Sequence, residues 1–160
     1  MNKPRRIIRT CLLVVALGSG IGGQTLKFER AAILGPEIPD FAVSRPPVFA
    51  DCNHDGQPDL IVASNKSVWL FLGTGGGKFL PPVAVGDFGP FDVGDLNADG
   101  NADILLGEPS TRVLFGVGDG TFPHWAEIGP ASQTVHVANI NGDLRPDFVV
   151  RSKDSLLVYL

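Results

Sequence analysis

The sequence predicts an all-β chain of three like units of short antiparallel strands, and three observations carry that prediction. An acidic nine-residue pattern opens at Asp51, returns at Asp95 and again at Asn139, a constant step of 44 residues. Each occurrence lies between two short runs of β-favouring residues. Glycine-rich turns follow in the first two units, and no stretch carries a convincing helical period. A step of this length marks a propeller or solenoid repeat, in which each unit stacks on the next.

The N-terminal residues stand apart from the repeat. Lys3, Arg5, Arg6 and Arg9 make a basic start, Cys11 to Leu17 an apolar run, and Gly18 to Gly23 a small-residue stretch, the order of a secretory leader over residues 1–23. The run is shorter than the about 20 apolar residues a bilayer span requires, so no stable membrane span is expected. The repeat domain is assigned to 24–160. Residues 1–23 hold four of the 13 basic residues and none of the 17 acidic ones, so the repeat domain is strongly acidic. That balance disfavours nucleic acid, whose capture rests on clustered lysine and arginine. Removal of the leader leaves Cys52 as the only cysteine, so no internal disulfide is available. The expected location is secreted or extracellular, with the periplasm or cell surface as alternatives.

The three loops, 51–59, 95–103 and 139–147, have the composition of cation sites. In the second, Asp95, Asn97 and Asp99 place side-chain oxygens at alternate positions, Gly100 permits the positive φ that folds the loop back, and Asp103 closes it. Oxygen donors of this kind suit calcium, which takes six to eight oxygens in irregular geometry. The backbone carbonyl of Asn101 is expected to complete the set, with Gln57 and Arg145 at the same place in the other loops. The first loop offers Asp51, Asn53, Asp55 and Asp59. The third offers Asn139, Asn141, Asp143 and Asp147. The twelfth positions are Val62, Leu106 and Val150 and the flanks read as strands, which separates these loops from EF-hands.

First strands are expected at 47–50, 91–94 and 135–138, and second strands at 60–62, 104–106 and 148–150. Third strands follow at 68–72, 113–117 and 156–160, and the turns 73–79 and 116–122 lead into fourth strands at 80–85 and 123–128. Neither turn is followed by the helix or lysine-serine pair that a phosphate-binding loop requires. A glycine stands seven residues after Phe79 and after Phe122, and Phe28 is followed by Gly35 at the same distance. The strand count therefore reads one, four, four and three, with 36–47 a proline-spaced connection.

The segments Phe91 to Asp103 and Gly118-Asp119-Gly120-Thr121-Phe122 resemble the FG-GAP or VCBS repeats of the integrin α-subunit propeller and of many secreted bacterial proteins. The resemblance covers nearly all of the chain after the leader. It implies a partial or short β-propeller of four-stranded antiparallel blades with calcium in the loop joining the first two strands. The family's ligands carry over to Asp51, Asn53, Asp55 and Asp59, and to Asp95, Asn97, Asp99 and Asp103. The third loop departs from the pattern, with Asn139 for the opening aspartate and Leu144 for the glycine, so two full calcium sites and a weaker third are expected.

No catalytic constellation emerges, and no catalytic residue is assigned. His54 is expected to be solvated, and His124 and His136 to fill ordinary strand positions. Trp69 and Trp125 are expected to pack between sheets rather than serve as sugar platforms. Cys52 lacks a histidine partner for a nucleophile role. The expected function is a non-catalytic, calcium-binding module for adhesion or binding of an extracellular protein or glycan. The alternatives are the propeller portion or remnant of a secreted lyase or hydrolase, and a truncated orphan fragment. Three blades fall short of an easy ring, so a homo-oligomer or further blades from elsewhere are the expected means of completing it.

Overall fold

The strand-favouring runs form three antiparallel sheets in the computed structural model, which describes residues 45–143 and 145–160. The expected leader, the strand read near Phe28, nearly all of the connection 36–47 and Leu144 lie outside the described residues. Sheet 1 is ordered β1 (Val48–Ala50), β2 (Asp59–Ala63), β3 (Ser67–Phe71), β4 (Val83–Asp87). Sheet 2 is ordered β5 (Phe91–Gly94), β6 (Asp103–Leu106), β7 (Thr111–Phe115), β8 (His124–Gly129). Sheet 3 holds β9 (Thr134–Ala138), β10 (Asp147–Arg151) and β11 (Leu156–Tyr159), with β10 in the middle. The four, four and three strands expected for 45–160 are therefore present. Among the described residues there is no helix, and so none that is long and apolar enough to cross a membrane.

The strand ends differ from expectation for identifiable reasons. β4 and β8 start only after Pro81-Pro82 and Pro123, because proline has no N–H to give to a ladder. β3 and β7 stop before Gly73 and Gly116, where the chain leaves the sheet. A Cβ at these glycines would sit 2.3 Å from the Pro58 carbonyl oxygen and 2.2 Å from that of Ala102. Only glycine passes so close to another backbone.

Burial follows the two-residue period of a strand, applied to both faces. On β6, Ile104 and Leu106 pack with Phe91 and Leu114 against Ile61, Ala63, Val68 and Leu70 of sheet 1. Leu105 points the other way and joins Val113, Val135 and Val150 in the core between sheets 2 and 3. A strand buried on both faces reads as a continuous apolar run rather than an alternating one, which is why 104–106 is all aliphatic. Each of the Val, Leu, Ile and Phe side chains among them contributes about 1.5–3 kcal/mol by leaving water. The sheets thus stack face to face, and the loops between first and second strands lie at residues 51–58, 95–102 and 139–146.

Candidate metal-binding loops

Each loop folds around its own acidic side chains. In the second, Asp95 accepts the Asp99 N–H through Oδ1 at 3.0 Å and the Gly100 N–H through Oδ2 at 2.9 Å. Asn97 Oδ1 accepts the same Asp99 N–H at 3.0 Å, so oxygens from two positions converge on one atom. Asp99 takes the Asn101 N–H at 2.8 Å and the Asn97 amide at 2.8 Å. These bonds, the Asn101 N–H first and then the Asn97 amide, hold the exposed Asp99 carboxyl below its ordinary value.

The first loop repeats this network. Asp51 Oδ1 and Asn53 Oδ1 share the Asp55 N–H at 3.2 Å each, Asp51 Oδ2 takes Gly56 N–H at 2.9 Å, and Asp55 takes Gln57 N–H at 2.7 Å. Gly56 and Gly100 hold φ of 77° and 90°, as their place in the pattern predicts. The third loop keeps only part of it. Asn141 Oδ1 accepts the Asp143 N–H at 2.8 Å and Asp143 accepts the Arg145 N–H at 2.7 Å, as in the other loops. Asn139, however, reaches the Gly142 N–H at 2.7 Å and the Asp143 carbonyl through its amide, in place of two carboxylate bonds.

The closing carboxylates do something sequence reasoning missed. Asp59 and Asp103 are fully buried, and each brackets two backbone amides. Asp59 accepts Cys52 N–H at 2.8 Å and Gly73 N–H at 2.7 Å. Asp103 accepts Leu96 N–H at 2.8 Å and Gly116 N–H at 2.9 Å. Burial raises the Asp103 carboxyl while those two amides pull the other way. Each carboxylate therefore ties the start of its loop to the end of the third strand. The signal was the glycine 13 or 14 residues after each aspartate. Asp147 accepts Ile140 N–H at 2.6 Å, but its other oxygen, also buried, has no hydrogen-bond partner.

Among the described residues no three histidine, cysteine or acidic side chains group as a metal cluster. The closing carboxylate turns inward, while the first and fifth positions face the loop's own amides. In the first two loops the side-chain donors are all oxygens, two outer carboxylates, an amide oxygen and one inner carboxylate, and this chemistry fits a hard cation such as calcium rather than zinc.

Other expectations resolve residue by residue. His54 is exposed yet bonded, its Nε2 lying 2.8 Å from Asn101 Oδ1, so it links the first loop to the second instead of being merely solvated. Gly120 N–H adds a second tie to Cys52 O at 2.9 Å. His124 is on β8 and His136 on β9, as expected, with His136 Nδ1 3.7 Å from Asp92. Trp69 is half-buried and donates to Ser64 Oγ at 3.1 Å. Trp125 departs from expectation: it is 60% exposed, with the Arg112 guanidinium 5.9 Å from its ring centre.

Stacked antiparallel sheets of three or four strands, each with an acidic loop between its first two strands, are the arrangement of a propeller-like repeat module. The sequence pattern of the FG-GAP-like repeat matches residues 51–106 and again 95–150, and the chain belongs to that family. No curated protein and no solved structure gives a significant match.

Proposed function

We propose that the chain is an exported, calcium-stabilised, non-catalytic repeat module that binds a protein or glycan partner outside the cytoplasm. The reading rests above all on the matched donor networks of the first two loops, which gather carboxylates that repel one another unless a cation or hydrogen bonds offset them. Asp51, Asn53, Asp55, Asp59 and the Gln57 carbonyl would hold one ion. Asp95, Asn97, Asp99, Asp103 and the Asn101 carbonyl would hold a second. Asn139, Asn141, Asp143, Asp147 and the Arg145 carbonyl would hold a third more weakly, since that loop has one carboxylate fewer. Calcium supplies charge neutralisation and a cross-link there. Trp125, an exposed aromatic beside a cation, supports the binding role, because such a face stacks on sugars or on a partner's side chains.

Thermal melting with calcium and with EDTA tests the reading. Extracellular calcium modules bind at about 10⁻⁴ to 10⁻³ M, so about 10 mM calcium stabilises each occupied site by about 1.4–2.7 kcal/mol. The expected result is a melting temperature several degrees higher in calcium than in EDTA, with Asp99→Ala removing more of the gain than Asp143→Ala. Identical melting in both solutions refutes calcium binding, and the reverse order of the variants refutes the ranking.

A further inference from the structure

We propose that Asn141 is a self-modification site, at which the third loop converts its own asparagine to aspartate or isoaspartate with no reagent but water. Asn141-Gly142 is the one Asn-Gly pair in the sequence, and both residues are exposed. The Gly142 main-chain nitrogen attacks the Asn141 side-chain carbon Cγ and closes a cyclic imide. The Cγ–Nδ2 bond breaks, and the proton of the attacking nitrogen leaves with the departing ammonia. One water then opens the ring, at Cγ to give aspartate or at the Asn141 main-chain carbonyl carbon to give isoaspartate. The sum is amide plus water to carboxylate plus ammonium, so no oxidant or reductant is needed. Nucleophile and target sit on adjacent residues and need no encounter, which leaves steric approach and developing charge to set the rate.

The folded loop serves both. Negative charge develops on Asn141 Oδ1 as the nitrogen attacks, and the Asp143 N–H already donates to that atom at 2.8 Å. The leaving nitrogen Nδ2 donates to Asp143 Oδ2 at 2.9 Å, and a carboxylate there favours positive charge on the departing amine. The sibling loops hold Asn53 and Asn97 in the same two bonds, to Asp55 and Asp99. What differs is the attacking residue, because His54 and Ala98 occupy the place of Gly142, all three at positive φ. A Cβ beside the nitrogen crowds the approach, and Gly142 has none. An atom built there would meet nothing within 4 Å, so the space around the reacting bond is open. The reaction is therefore confined to the third loop. Its product turns a hydrogen bond into a repulsion, since a carboxylate at 141 would face the Asp143 carboxylate where the amide now donates to it. Isoaspartate also lengthens the main chain inside the loop.

Peptide mapping by mass spectrometry tests the proposal on the full chain, incubated folded in warm neutral buffer with EDTA so that the outcome does not depend on calcium. The expected result is acid accumulating in place of amide at Asn141, split between aspartate and isoaspartate peptides, while Asn53 and Asn97 stay intact. Gly142→Ala should stop the reaction and still fold, since Ala98 holds the equivalent place at φ of 59°. Ala98→Gly should make Asn97 react as Asn141 does. Asp143→Ala should slow Asn141 severalfold in the folded chain and match the wild type in urea. Asn141→Asp, which installs the product's charge at once, should melt at a lower temperature than the wild type in EDTA. An Asn141 that stays intact overturns the proposal, as does equal reaction in Gly142→Ala or at Asn53 and Asn97. A wild-type rate in folded Asp143→Ala overturns the part given to Asp143, and unchanged melting of Asn141→Asp overturns the repulsion.

Discussion

Cys52 shows how local surroundings decide what a side chain can do. It lies inside an acidic loop, 3% exposed, and its thiol is pushed up to about 12, first by burial and then by the charges of Asp59 and Asp51. The nucleophile is the thiolate, so a thiol in this state is inert at physiological pH. Cys52 of the native chain should resist iodoacetamide at about pH 8, where an ordinary cysteine with pKa near 8.5 reacts, and should be alkylated once urea unfolds the chain. Mass spectrometry reads both states, and rapid labelling of the native chain would contradict the burial. The sequence showed that Cys52 had no histidine partner but not that it was buried, because only the fold brings Gly120 onto its carbonyl. The same holds for the fourth loop position. His54 and Ala98 adopt φ of 56° and 59° there, and Gly142 adopts 80°. The third loop therefore has a glycine where its siblings strain a side chain, a compensation hidden from a reading fixed on Leu144.

At the level of the loop and its flanking strands, two kinds of carboxylate have separate jobs. Asp95 bonds to amides in an exposed loop, which water serves nearly as well. Asp103 serves two amides in a buried place, and each left unpaired costs about 1–3 kcal/mol. In EDTA, Asp103→Ala should thus lower unfolding free energy by about 2–6 kcal/mol, and Asp95→Ala by about 1 kcal/mol or less. Urea denaturation distinguishes them, and equal losses would mean that the inner bracket does not hold the hairpin. The pattern of alternate aspartates made the loops, their flanking strands and the strand order legible, because spacing alone encodes them. It did not separate inner from outer carboxylates, since that depends on Gly73 and Gly116 meeting Asp59 and Asp103 across the sheet. Nor did aromatic character place Trp125, which is on the outer strand of sheet 2 and 60% exposed.

In a stack of sheets each layer contacts only its neighbours, so stability is the sum of layer and interface contributions. Sheet 2 has a partner on both faces, while among the described residues sheet 3 packs on sheet 2 alone. Its middle strand also carries the unpartnered Asp147 oxygen. Amide exchange should therefore be slower on β6, which is buried along its whole length, than on β10 and β11. Leu105→Ala removes the central side chain between sheets 2 and 3 and should cost about 2–5 kcal/mol. If coupling is nearest-neighbour, that loss speeds exchange in sheet 3 while β2 and β3, on the far side of sheet 2, keep most of their protection. Uniform acceleration of all three sheets by Leu105→Ala would instead mean that the layers unfold as one unit, with the interface between sheets 2 and 3 as essential to sheet 1 as its own core.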